Sequence, residues 1–240
     1  MKAAIGISMF DEHELVLNTI QTIIESDAIE PYFVVAHSDD ESSTSALEAI
    51  KELAHKYILL SDVSKEKPTN YYQSHCVSRN YSNIFRSFYE ADEIDSISYF
   101  VALTGDTLVT DPSNFNRLYD YMIDNNKVAC VSQATGQRFH AATDDLHEFV
   151  GSRYQHDKIT DFMPQLFLLE GKFAKNTKCF FDIEVTNELT SEQCLGDELS
   201  SHLEKEFHTQ VHRLNSMVPT YAYAYSDGIV YHARNGKPGR

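Results

Sequence analysis

Residues 99–115 read YFVALTGDTLVTDPSNF. The apolar run from Tyr99 to Leu103 has the composition of a buried strand, and it breaks at Thr104-Gly105-Asp106-Thr107. A second acid, Asp111, follows before Pro112 and a polar turn. In open α/β sheets, ligands bind in the crevice outside the strand C-termini. A carboxylate released there either caps the next element or is aimed at something bound.

Working outward, the segments around this strand alternate in period. Ala3 to Phe10, Tyr32 to Ser38 and Tyr57 to Asp62 read as strands. Between them, Glu14 to Ser26, the run SALEAIKELAHKY and Ser78 to Asp92 carry apolar residues at helical spacing. This alternation predicts βαβ units, an α/β fold and a mostly parallel central sheet flanked by helices. After Asp111 the expected order is a helix (Asn114 to Asp124), a strand (Lys127 to Gln133) and a long polar loop (Ala134 to Asp161). Then come the apolar run MPQLFLLEGKFA, a helix in GDELSSHLEKEF and a pair of strands, or a strand and turn, in TYAYAYSDGIVYH. No linker divides the chain, so residues 1–240 are expected to form one domain.

The 240 residues are 42% hydrophobic and 23% charged, a globular balance with enough chain to bury a core. Twenty basic against thirty-six acidic residues give a formal net charge of −16, which disfavours non-specific binding to nucleic acid or anionic membranes. Cys76, Cys130, Cys179 and Cys194 are scattered without a CxxC pair, so neither a zinc framework nor a disulfide framework is signalled. No run reaches the ~20 apolar residues of a membrane span. The expectation is a cytoplasmic protein with no membrane span.

The loop after the first strand, Met9-Phe10-Asp11-Glu12, has no glycine cluster, which argues against a dinucleotide fold, a P-loop or a pyrophosphorylase. Instead, acids recur at strand ends: Asp39-Asp40, Asp62 and Asp106, followed later by Asp197-Glu198 and His232. In this order the sequence resembles glycosyltransferases of the GT-A fold, particularly the large family rich in inverting enzymes. The acid-rich turn AHSDDES, with Asp39 and Asp40, matches the family's nucleoside-binding turn. Arg79 and Asn80 in SRNYSNI match its Arg-Asn pair at a helix start. LTGDTLVTDP matches its metal-binding Asp-x-Asp, with Asp106 as the last acid and Thr104 at the first position. LGDELSSHL matches the acidic pair at a helix start that carries the catalytic base. His232 in GIVYHARNG matches the histidine that completes the metal site.

The resemblance implies a GT-A-like Rossmann-type sandwich, with a nucleotide-binding half (1–111) and an acceptor-binding half (112–240). It implies a metal-dependent, inverting transferase that moves a sugar from a nucleotide-sugar, expected to be a UDP-sugar, to an acceptor hydroxyl. Asp106 and His232 would hold Mn²⁺ or Mg²⁺, and Asp197 or Glu198, with the lean to Asp197, would be the base. A diphosphate leaving group needs its charge neutralised, and one carboxylate with substrate phosphates suffices for such a cation. The basic tail HARNGKPGR would bring Arg234 and Lys237 to the diphosphate. The acceptor is left open among a glycan, a lipid-linked sugar, a protein and a nucleobase; the negative charge makes nucleic acid the least favoured.

Each residue also has an ordinary structural reading. Asp106 can cap a turn with Thr107, Asp39 and Asp40 can cap a helix, and Asp197 and Glu198 can be first-turn acids favoured by the helix dipole. Arg79 can lie at the surface, Asn80 can cap, His232 can sit at a strand end, and the tail can fray. His208 and His212 lack the HExxH glutamate and read as a solvated helix face. Tyr221, Tyr223 and Tyr225 alternate at strand period and read first as sheet packing. Two rival functions follow: a retaining transferase on the same fold, and a non-catalytic binding or scaffold module, the latter favoured by Thr104 in place of an acid.

Overall fold

The computed structural model describes residues 1–10, 12–38, 43–60, 70–109, 111–133, 162–184, 191–203, 211–214, 217–219, 223–225 and 230–232. Of these, 70–76, 131–133, 162–165, 191–193 and all from 211 onward are described as backbone only. Strand β1 (Lys2–Met9) is buried at every position after Lys2. A strand without a polar face has both faces covered and belongs in the middle of an α/β sheet. It pairs in parallel with β2 (Glu30–His37) on one side and with β4 (Tyr99–Thr104) on the other. β3 (Lys56–Leu59) continues beyond β2, while β7 (Phe162–Glu170), β6 (Ala129–Gln133) and β8 (Val211–Leu214) continue beyond β4. The seven-stranded order is β3-β2-β1-β4-β7-β6-β8, and only β7 runs against the rest.

Successive strand residues serve opposite faces. Ile5, Phe33 and Val101 pack with α1 (His13–Glu25), α2 (Ser45–Leu53) and α4 (Ser113–Asp124) through Val16, Ile20, Leu47, Ile50, Phe115 and Met122. Ala4, Val34 and Phe100 pack with α3 (Asn70–Tyr89), α5 (Gly171–Thr177) and α6 (Ser191–Ser201). This is the period-2 alternation of a sheet buried on both sides. α3 lies so close to β1 that a Cβ at Gly6 would collide with Ile84 and touch Phe88. A second, four-stranded sheet has the order β5-β11-β10-β9, from β5 (Thr107–Val109), β11 (Val230–His232), β10 (Tyr223–Tyr225) and β9 (Met217–Pro219).

The α/β class and the mostly parallel, helix-flanked sheet are as expected from the sequence, and the aromatic C-terminal run forms the antiparallel pair β10–β11. Three expectations are corrected. α3 starts at Asn70, so Arg79 and Asn80 lie in its body and do not open it. α6 spans Ser191–Ser201, so Asp197 and Glu198 are not in its first turn. His212 lies in β8, not on a helix. Among the described residues, no helix is long and apolar enough to cross a membrane. The expected loop at 134–161 and Asp62 lie outside the described residues.

Candidate active site

The strand order reverses between β1 and β4, and the crevice at their C-terminal ends is where such sheets bind ligands. The Gly105 amide donates to the Ser8 carbonyl at 2.7 Å, continuing the β1–β4 pairing to the lip of the sheet. Glu12 folds back over this lip: its Oε2 accepts from the Phe10 amide at 2.8 Å. A Cβ on Gly105 would lie 2.7 Å from the same oxygen and 3.3 Å from the Met9 Cα, so a larger residue there would displace the Glu12 carboxylate. Glu12 thus lies against Gly105, the residue before Asp106. Sequence reading had noted its loop only for lacking glycines.

The two acids of the opening stretch have separate fates. Asp111 secures the first turn of α4. Its carboxylate accepts from the Ser113 amide (3.1 Å) and hydroxyl, from the Asn114 side chain (3.1 Å) and from Arg117 (2.9 Å). The Ser113 hydrogen bond is the largest cause holding its carboxyl below the ordinary value. Asp106 instead sits half-buried at the lip. Its Oδ1 accepts from the Thr104 hydroxyl at 2.6 Å, and that hydroxyl is 3.1 Å from the hydroxyl of Thr107. Burial, and then the Asp106 charge, keep the Tyr81 phenol below it protonated. Thr19 on α1 donates to the Thr107 carbonyl at 3.0 Å, fixing the start of β5.

β11 runs antiparallel to β5 with His232 opposite Thr107, the residue after Asp106. Cross-strand neighbours are about 4.5–5.5 Å apart at Cα. The Asp106 carboxylate and the Thr104 and Thr107 hydroxyls are hard oxygen donors of the kind Mn²⁺ and Mg²⁺ take, while His232 is described only as the backbone residue facing Thr107.

The wall beside the crevice is tied together by Asn80. Its amide donates to the Ser8 hydroxyl (2.9 Å) and the Ala36 carbonyl (3.3 Å), and its oxygen accepts from Ser38 (2.7 Å). Asn80 is fully buried and thereby fixes α3 against the ends of β1 and β2, whereas Arg79 is exposed. A second polar chain runs behind β2. The Tyr57 hydroxyl is 2.6 Å from His37 Nδ1, His37 Nε2 is 3.5 Å from His13 Nε2, and His13 Nδ1 is 3.2 Å from the Thr44 hydroxyl. Burial, then Glu48, push the Tyr57 phenol up to about 12, so it stays a hydrogen-bond donor. Thr44 also caps α2 by accepting from the Leu47 amide at 3.1 Å. These contacts hold Ser38 and Thr44 on either side of residues 39–42; Asp39 and Asp40, like Arg234 and Lys237, lie outside the described residues.

The described contacts of Glu198 are with groups other than those around Asp106. Glu198 accepts from the Phe180 amide at 3.2 Å, pairs with His202 at 3.0 Å and acts on the Tyr89 phenol. The Tyr89 ring lies 5.8 Å from that of Phe100, near the start of β4. Asp197 is the neighbour of Glu198 on α6 and is half-buried.

No family model matches the sequence, and no curated protein matches it. Solved structures do resemble the fold. S. aureus TarS superposes with a TM-score of 0.54 at 8% identity, covering 98% of this chain and 37% of that one. TarS 1–349 in complex with UDP gives 0.54 at 8% identity, covering 98% of this chain and 61% of that one. M. tuberculosis glucosyl-3-phosphoglycerate synthase gives 0.50 at 10% identity, covering 89% and 69%. The fold is that of the GT-A glycosyltransferases. The chain spans less than two thirds of either TarS structure's length.

Proposed function

We propose that the chain is a glycosyltransferase that moves a sugar from a nucleotide-sugar donor, a UDP-sugar, onto an acceptor hydroxyl with inversion at the anomeric carbon. The observation that carries this reading is the β5–β11 register, which pairs His232 with Thr107, the residue after Asp106, beyond the end of β4. The GT-A fold and the UDP bound by the similar TarS structure support it.

In this reading Asp106 and His232 hold Mn²⁺ or Mg²⁺, with Thr104 orienting the carboxylate. The cation supplies charge neutralisation for the departing diphosphate. Asp39, Asp40 and Arg79 bind the nucleoside end, Asn80 holds the wall in place, and Arg234 and Lys237 meet phosphate oxygens. Asp197 takes the proton of the acceptor hydroxyl as it attacks; Glu198 is already engaged by His202 and Phe180. The second half of the chain, from residue 112, binds the acceptor.

Calorimetry with UDP and Mn²⁺ tests the assignment. Asp106→Ala is expected to abolish metal-dependent UDP binding while leaving the circular dichroism spectrum unchanged, because a lip carboxylate supports little packing. Equal affinity in parent and variant would remove Asp106 from the site. No heat from the parent with any nucleotide would leave the non-catalytic module that Thr104 favours.

A further inference from the structure

On the face of the sheet covered by α3, α5 and α6, three side chains of metal-binding type converge. Cys179 comes from the turn after α5, and Glu198 and His202 stand one helical turn apart at the end of α6. Their sulfur, carboxylate oxygen and imidazole nitrogen lie within 4.8 Å of one another. We propose that Cys179, Glu198 and His202 form a site for a zinc-class transition-metal ion that clamps this turn to α6.

The donor set selects the metal. Thiolate and imidazole favour zinc and its borderline-soft neighbours over Mg²⁺ or Ca²⁺. A thiolate and a carboxylate together carry the charge that a divalent cation cancels. With metal–nitrogen and metal–oxygen bonds near 2.0–2.2 Å, tetrahedral ligands stand about 3.3 Å apart. His202 Nε2 and Glu198 Oε1 are already 3.0 Å apart, close to that spacing. The His202 and Glu198 side chains are 27% and 19% exposed, which leaves the fourth position to water.

The turn presenting the sulfur is built at a conformational cost. Lys178 (φ 56°) and Phe180 (φ 65°) flank Cys179, and left-handed backbone is uncommon in residues other than glycine, most of all bulky ones. Such outliers persist where their surroundings fix them and cluster at functional sites. Here the Cys179 amide donates to Thr177 Oγ1 at 3.3 Å, its carbonyl accepts from the Tyr89 hydroxyl at 2.6 Å, and the Phe180 amide donates to Glu198. Cys179 is fully buried, so a metal bound there is shielded from solvent on the sulfur side. Binding forms the metal–sulfur bond and releases the thiol proton to solvent, so affinity rises with pH.

The test uses the full chain, stripped with chelator and titrated with Co²⁺ alone. A thiolate-to-cobalt charge-transfer band is expected, saturating at one equivalent, bleached by Zn²⁺ and accompanied by a higher unfolding temperature. Cys179→Ser should abolish the band. His202→Gln should weaken Co²⁺ binding about tenfold or more, and it decides the matter if Cys179→Ser does not fold. No band in the folded parent, a band undiminished in Cys179→Ser, or unchanged affinity in His202→Gln would each overturn the proposal. UDP and Mn²⁺ binding at Asp106 involves no thiolate and gives no such band, so failure of either site is read separately.

Discussion

Asp111 holds the start of α4 through Ser113, Asn114 and Arg117, and pH reads what that hold contributes. Asp111→Ala is expected to cost about 1 kcal/mol at neutral pH, the usual value of a lost capping side chain. With its side chain 45% exposed, the Arg117 pair adds little to this. Because the folded-state carboxyl is held below 3.8, its contribution is complete above the unfolded value. It is lost as pH falls through the folded value. Urea unfolding of both proteins should show a gap at pH 7 that closes on acidification below about 4; a gap independent of pH would assign the loss to packing instead. At Asp197 the readout is turnover. Asp197→Asn keeps shape but loses basicity, and should lower the transfer rate ~10²- to 10⁴-fold with donor binding retained. An unimpaired variant would remove Asp197 as the base.

Helix α3 shows what the sequence does and does not reveal at the scale of an element. Phe85 sits at the centre of its buried face, stacked 5.9 Å from Phe167 on β7, 5.1 Å from Phe180 and 5.5 Å from Phe88. Phe85→Ala should therefore cost about 3–5 kcal/mol, because the flanking rings and backbone cannot close on the space. Chemical denaturation checks this, and a loss under 1 kcal/mol would mean the cluster is not the core it is taken for. The helix itself was legible from apolar spacing, but its first turns were not, since Asn70–Ser78 carry no strong apolar period. The strands around β1 were legible because their residues are apolar without a break. Asp106 at the end of β4 was legible for the same reason. Two features had no local signal. The β5–β11 pairing joins segments distant in the chain, and the approach of Glu198 to Cys179 depends on how α6 packs against α3 and β7. The sequence marks Asn80 through its place in the Arg-Asn pair, but its fully internal hydrogen bonding is a property of three elements meeting, which spacing alone does not encode.

Over the whole molecule, the net charge of −16 complicates any measurement of a cation site, because acidic proteins gather divalent ions diffusely. Diffuse binding and a defined site differ in two respects. At about 0.15 M salt the Debye length is about 8 Å, so the long-range field that collects ions is screened while direct ligation persists. Only a defined site couples to nucleotide. If Asp106 and the diphosphate share one cation, UDP must raise Mn²⁺ affinity by the same factor by which Mn²⁺ raises UDP affinity. Thermal unfolding at about 0.15 M salt should then show little effect of Mn²⁺ alone and little of UDP alone. The two together should stabilise the protein by about 2.7 kcal/mol when ligand stands at a hundredfold excess over its dissociation constant. Chelator should reverse the shift, and Asp106→Ala should leave only the small separate effects. If Mn²⁺ and UDP shifts simply add in the parent, no cation is shared between Asp106 and the diphosphate, and nucleotide binding at this crevice would have to proceed without one.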